Sequence, residues 1–120
     1  DFMSAVEDLT AKACLMRNGS LPDCASVYYR SVATSMKKAK SGRFPLNMSY
    51  YLVKHFDGEN DGLVSVDSAL WGDVYAILRP RGNRGISHGD MIDLNRENIP
   101  EFDVREFYVN LVKDLKEKGF

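Results

Sequence analysis

Histidine is scarce in this chain: its 120 residues contain two, His55 and His88. Any proton transfer near neutral pH that needs an imidazole must run through one of those positions. An excess of either charge is lacking as well, since 16 basic and 17 acidic residues leave a net charge of −1. A chain so balanced has no electrostatic footprint for nucleic acid or for an anionic membrane surface. Long apolar runs are missing, which excludes a transmembrane helix. No basic-then-apolar leader marks a signal peptide, although a leader ahead of Asp1 is compatible with this. Cysteine is limited to Cys14 and Cys24, either side of a turn. They fit a small loop-closing disulfide in an oxidising compartment, or two unpaired thiols with one on a helix's core face. The expected location is extracellular, with the cytoplasm as the alternative. The length allows one modest core and not two, so residues 1–120 are read as a single unit.

What is present alternates between helical and strand patterns. Ser4 and Glu7 form a capping-box pair, and Val6, Leu9, Ala13 and Met16 follow at helical spacing until Asn18 and Gly19, which predicts one amphipathic helix. The β-branched and aromatic run from Ser26 to Ala33 predicts a strand covered on both faces, and Lys37 to Arg43 a solvated loop. Pro45 opens a short helix over Asn47 to His55 with Met48, Tyr51, Leu52 and His55 on its packed face. Asp57 to Gly62 must turn tightly, and Asp67 to Gly72 suits a short helical turn. Val74 to Leu78 reads as a second buried strand ended by Pro80, followed by a Gly-rich loop from Arg79 to Gly89. A last helix starts near Asp103, capped reciprocally by Glu106, with Val104, Phe107, Leu111, Val112 and Leu115 on one stripe. This order predicts an α/β fold with few, mostly parallel strands and flanking helices.

Two residues stand out chemically. Asp61 sits in a glycine-flanked turn, and His88 follows 27 residues later with one buried strand between them. A carboxylate and an imidazole so placed can form two thirds of a catalytic triad. The carboxylate fixes the tautomer, and the free nitrogen takes a proton from a nucleophile. On spacing alone, an aspartate capping a turn and an unrelated surface histidine is the favoured reading. Gly85-Ile86-Ser87-His88-Gly89 spells G-x-S-x-G, but a nucleophile elbow needs an apolar strand running into the serine, and here Pro80-Arg81-Gly82-Asn83-Arg84 leads in. Asp57 to Gly62 approaches the start of a calcium-binding EF-hand loop, with Ser68 where the bidentate glutamate belongs. A non-catalytic α/β binding module taking calcium at Asp57–Gly62 is therefore the alternative function.

The segment Asn60-Asp61-Gly62-Leu63-Val64, with a Trp71-Gly72 pair after it and Ser87-His88-Gly89-Asp90 downstream, resembles the acid and histidine segments of bacterial triacylglycerol lipases of the α/β-hydrolase family. Asp8-Leu9-Thr10, Asn18, Pro22-Asp23 and Val27 to Val32 are similar to the approach to the preceding sheet strand, so the likeness runs from about Ser4 to Asp90. The resemblance implies that the chain is the C-terminal part of such a hydrolase, with Asp61 as triad acid and His88 as base. It further implies that the serine and the first strands of the sheet lie on a segment outside this chain. The substrate is then a lipid or other ester, with no organic cofactor. In calcium-binding members the aspartate two after the histidine holds the ion; that is Asp90 here, but Leu94 stands where their glutamine would. A sheet missing its first strands is expected to pair with the N-terminal part of the hydrolase, or to self-associate through Val27 to Val32.

Overall fold

A computed structural model describes residues 2–79 and 82–120. Elements follow in the order α1 (Phe2–Asp8), α2 (Ala11–Asn18), β1 (Arg30–Thr34), a 3-10 turn (Ala39–Ser41), α3 (Leu46–Asp57), α4 (Val66–Ala69), β2 (Asp73–Leu78), a second 3-10 turn (His88–Ile92) and α5 (Val104–Glu117). The class is mixed α/β, built on a two-stranded parallel sheet. Arg30 pairs with Asp73 and Ser31 with Val74; the register then slips, so that Val32, Ala33 and Thr34 face Ala76, Ile77 and Leu78. Parallel strands cannot be joined by a hairpin, and α3 and α4 supply the crossover. The strand ending assigned to Pro80, and the first part of the loop after it, fall at residues outside those described.

Several sequence expectations are corrected. The single N-terminal helix is two, because the Thr10 hydroxyl donates to the Glu7 carbonyl at 2.8 Å and accepts from the Ala13 amide at 3.3 Å, ending one helix and capping the next. Ser4 and Glu7 lie inside α1 and do not open it. The first strand begins at Arg30, and Ser26 to Tyr29 precede it as non-strand chain. On α3 the packed side holds buried Tyr50, while Met48, Tyr51 and Leu52 are more than three-fifths exposed; His55 is exposed too, edge-on to Phe56. The α5 stripe survives apart from Val112, which is exposed. Asp103 caps that helix through the Arg105 and Glu106 amides.

The apolar core is small: Ala33, Met36, Ala39, Tyr50, Val66 and Ile86 are its buried members, and Met36, Ala39 and Tyr50 touch one another. Buried polar residues outnumber them, and most gather beyond the C-terminal ends of the two strands. The chain exposes 8702 Å², roughly 2,200 Å² more than a folded monomer of 13.5 kDa is expected to show. Its radius of gyration, 15.6 Å, likewise exceeds the ~14 Å of a closed domain of this length. One edge of β1 has no strand partner among the described residues. A two-stranded sheet with so much open apolar surface needs cover. Sedimentation of the isolated chain is expected to show self-association at high concentration, or stable pairing once a segment that completes the sheet is added. A well-behaved monomer at high concentration would instead mark an independent small domain.

Candidate functional site

Helix α3 ends at Gly58, whose φ of 83° reverses the chain into the acidic turn. Asn60, fully buried, then locks that turn. Its side-chain amide donates to the Gly58 and Tyr50 carbonyls at 2.9 and 3.4 Å, its side-chain oxygen accepts from the Gly62 amide at 2.9 Å, and its carbonyl accepts from the Met36 amide at 2.8 Å. Ser49 adds a hydroxyl bond to the Gly62 carbonyl. The Asp61 side chain is consequently aimed. One carboxylate oxygen accepts from the Leu63 and Val64 amides at 3.0 and 2.8 Å, and the other turns to Thr34 Oγ1 at 3.4 Å and to the imidazole of His88.

His88 arrives from the opposite side. After β2 the chain returns alongside the continuation of β1, with the Ile86 amide donating to the Ser35 carbonyl at 2.9 Å and Gly85 bridging Met36. The His88 amide donates to the Asp61 carbonyl at 2.9 Å, and His88 Nδ1 lies 2.8 Å from Asp61 Oδ2. The two residues picked out in the sequence thus meet beyond the C-terminal ends of the parallel pair, where α/β sheets place their ligands. The Asp61 side chain is 10% exposed and that of His88 is 47%. The carboxylate is therefore shielded while half the ring faces outward, and Nε2 has no partner among the described residues. Beside the ring opens a cleft of about 260 Å³, with Val32, Ala33, Val64, Ala69, Met91 and Ile92 in its walls. A larger cleft, about 440 Å³, lies under the start of α5 among Asn95, Arg96, Glu101 and Arg105, away from the imidazole.

The other candidate residues are otherwise engaged. Ser87 is 2% exposed; its hydroxyl donates to Asp90 Oδ2 at 2.8 Å and caps the 3-10 turn that begins with His88, so it does not look into the cleft. Both oxygens of Asp90 are taken by Arg84, at 2.6 and 3.0 Å, and the Ser87 amide adds a bond at 2.7 Å. In this structure the Arg84 guanidinium neutralises the Asp90 carboxylate. In the Asp57–Gly62 turn, Glu59 faces away to a two-pronged pair with Arg79 at 2.6 and 2.7 Å, while Asp61 serves His88. Its acids do not converge, and among the described residues no three His, Cys, Asp or Glu side chains are arranged to hold a metal ion. Cys14 and Cys24 are both free thiols; Cys24 contacts Ser26 Oγ at 3.2 Å, and that bond draws the thiol below its usual pKa.

Arg84, Asn60 and Thr34 support the pair and were not singled out in the sequence. Asn60 preceding Asp-Gly was the one available signal, as an Asx turn residue. Burial alone would raise the Asp90 carboxyl, but the bonds from Arg84 and from the Ser87 amide and hydroxyl outweigh it and hold the group below the ordinary aspartate range. A depressed folded-state pKa contributes stability above the unfolded value near pH 4 and loses it as pH falls through the folded value. Asp90→Asn is expected to lower Tm at pH 7 and to approach the wild-type Tm as both are acidified below about pH 4. A Tm difference that stays constant down to pH 2 would show that the Asp90 charge is not what stabilises the turn. No protein-family model matches the chain, and no curated protein and no solved structure compared with it is similar.

Proposed function

We propose that this chain is the C-terminal portion of an α/β-hydrolase of the lipase kind, contributing the acid and base of a serine hydrolase that acts on lipid or other carboxylic esters. The observation that carries this reading is the 2.8 Å bond between Asp61 and His88 Nδ1 beyond the C-terminal ends of β1 and β2. Asp61, fed by two backbone amides, cannot turn away from the ring, so it accepts the Nδ1 proton and leaves Nε2 as the free base. The nucleophile comes from a segment outside this chain that also covers the open edge of β1. Nε2 takes the proton of its serine hydroxyl as the oxygen attacks the ester carbonyl; the alcohol leaves carrying that proton, and an acyl-serine remains. In the second half water gives a proton to Nε2 as its oxygen attacks the acyl carbon; the acyl–serine bond breaks, the serine oxygen takes that proton back from Nε2, and the carboxylic acid is released. The apolar cleft beside the ring suits the hydrocarbon part of an ester better than a charged substrate.

This chemistry uses side chains and water, and no organic cofactor is required. By itself the chain is expected to be inactive. The test supplies a nucleophile-bearing segment, fused ahead of Asp1 or as a separate chain. It then looks for hydrolysis of a short-chain ester together with labelling of its serine by a fluorophosphonate. A complex that assembles stably yet neither hydrolyses ester nor takes the label would sink the reading.

A further inference from the structure

We propose that Arg84 is a positioning residue for His88, holding the imidazole in line with Asp61 through a bracket made of Asp90 and Ser87. The inference rests on the hydrolase reading for its functional meaning. The bracket itself is geometric. Arg84 lies at the mouth of the return segment, and its planar fork grips both Asp90 oxygens at 2.6 and 3.0 Å. The same guanidinium bonds the Gly85 carbonyl at 3.1 Å and Glu97 at 2.9 Å, and Glu97 is held in turn by Arg43. Gripped in this way, Asp90 Oδ2 accepts from both the amide and the hydroxyl of Ser87, at 2.7 and 2.8 Å. Ser87 is the residue directly before His88, so each bond that fixes it fixes the root of the imidazole.

The hydrogen-bond arithmetic explains why arginine is needed there. The Asp90 side chain is 2% exposed and that of Arg84 is 23%. A buried carboxylate without its cation would be costly, and would either take up a proton or swing toward water. Either change weakens the cap on Ser87, because a neutral carboxyl accepts less strongly and a displaced one not at all. A lysine brings the charge as a single point and not as a fork, so it can meet one Asp90 oxygen but not both together with Gly85 and Glu97. No other described basic side chain reaches Asp90: Arg43 is spent on Glu97, and Arg105 pairs with Asp93 at 2.9 Å.

The experiment reads the His88–Asp61 bond directly, by ¹H–¹⁵N NMR of the imidazole in the whole chain, where a carboxylate-bonded Nδ1 proton appears far downfield and exchanges slowly with water. Wild type, Arg84→Ala, Arg84→Lys and the control Arg105→Gln are compared. The bonded population is expected to fall on the order of tenfold in Arg84→Ala. Arg84→Lys should fall less, Arg105→Gln should remain at wild type, and millimolar guanidinium should restore the signal in Arg84→Ala. Unfolding midpoints of the same samples separate the roles: a purely structural ion pair would lower Tm and leave the signal of the folded molecules unchanged, whereas the bracket lowers the signal in the folded protein. Should Arg84→Ala fail to fold, the lysine variant decides: a weakened signal in a folded protein supports the bracket, and an unchanged one overturns it. An unchanged signal in folded Arg84→Ala overturns it as well. A wild-type signal that depends on Arg84, in a chain whose completed enzyme hydrolyses no ester, sinks the hydrolase reading and leaves the bracket standing.

Discussion

On the proposed hydrolase reading, His88→Ala in the chain joined to its nucleophile-bearing segment is expected to lower kcat by on the order of 10⁶-fold, leaving only what binding and oxyanion stabilisation supply. The size follows from the geometry. Nε2 of His88 is the only free imidazole nitrogen beside the cleft, and the other histidine, His55, stands exposed on α3. Asp61→Asn keeps the shape of the turn but offers an amide where a carboxylate accepted the Nδ1 proton. The ring then favours the wrong tautomer, a change worth about 10⁴-fold in kcat. The neighbouring acid Glu59 is not expected to compensate, because Arg79 grips both of its oxygens and holds its carboxyl below the usual glutamate range. Ser87→Ala separates the triad from the G-x-S-x-G letters around it. It removes the hydroxyl bond of the bracket but leaves the Ser87 amide bond to Asp90, so it should cost about 1 kcal/mol of stability and lower activity per folded molecule far less than His88→Ala does. Activity that survives His88→Ala and vanishes with Ser87→Ala would reverse the assignment.

Gly85→Ala is expected to damage the fold strongly, destabilising it by about 2–4 kcal/mol from backbone strain and overpacking together. Gly85 has φ of 78°, and a β-carbon there would stand 2.4 Å from the Ser35 carbonyl oxygen, 2.7 Å from the Lys37 amide nitrogen and 2.8 Å from Met36 Cα. All three are backbone atoms of the segment that Gly85 bridges, so nothing flexible can give way. Gly58→Ala is the comparison, since its φ of 83° is equally unfavourable but nothing lies within 4 Å of the added carbon. It should cost about 1–2 kcal/mol, from backbone strain alone. Urea unfolding of the two variants measures the difference; equal losses would show that the close approach at Gly85 relaxes freely. Because Gly85 leads into Ile86, Ser87 and His88, its variant should also weaken the His88–Asp61 bond.

Local residue chemistry by itself determined where the chain turns and which side chains can carry chemistry. Asp57 to Gly62 turns because glycine and Asx residues are dense there, α5 forms because its apolar stripe follows an N-capping aspartate, and proton transfer converges on His88 because imidazoles are so few. Those are properties of a few neighbouring residues, and neighbours are what a sequence displays. The split at Thr10 was less legible, since one hydroxyl bonding both ways outweighed an apolar period that ran through it. The exposed stripe of Met48, Tyr51 and Leu52 on α3 was misread for another reason: an amphipathic pattern shows that a face needs cover and cannot say whether the cover lies within these residues. Only the tertiary structure decided that Asp61 and His88 meet, that Asn60 fixes the first and that Arg84, through Asp90 and Ser87, brackets the second. The Asp61–His88 contact joins segments that parallel strand pairing brings together, and a hydrogen bond of 2.8 Å between such segments depends on register and twist, which no local pattern of residues specifies. The bracket lies within residues 84–90, but its geometry depends on how that loop packs against the continuation of β1.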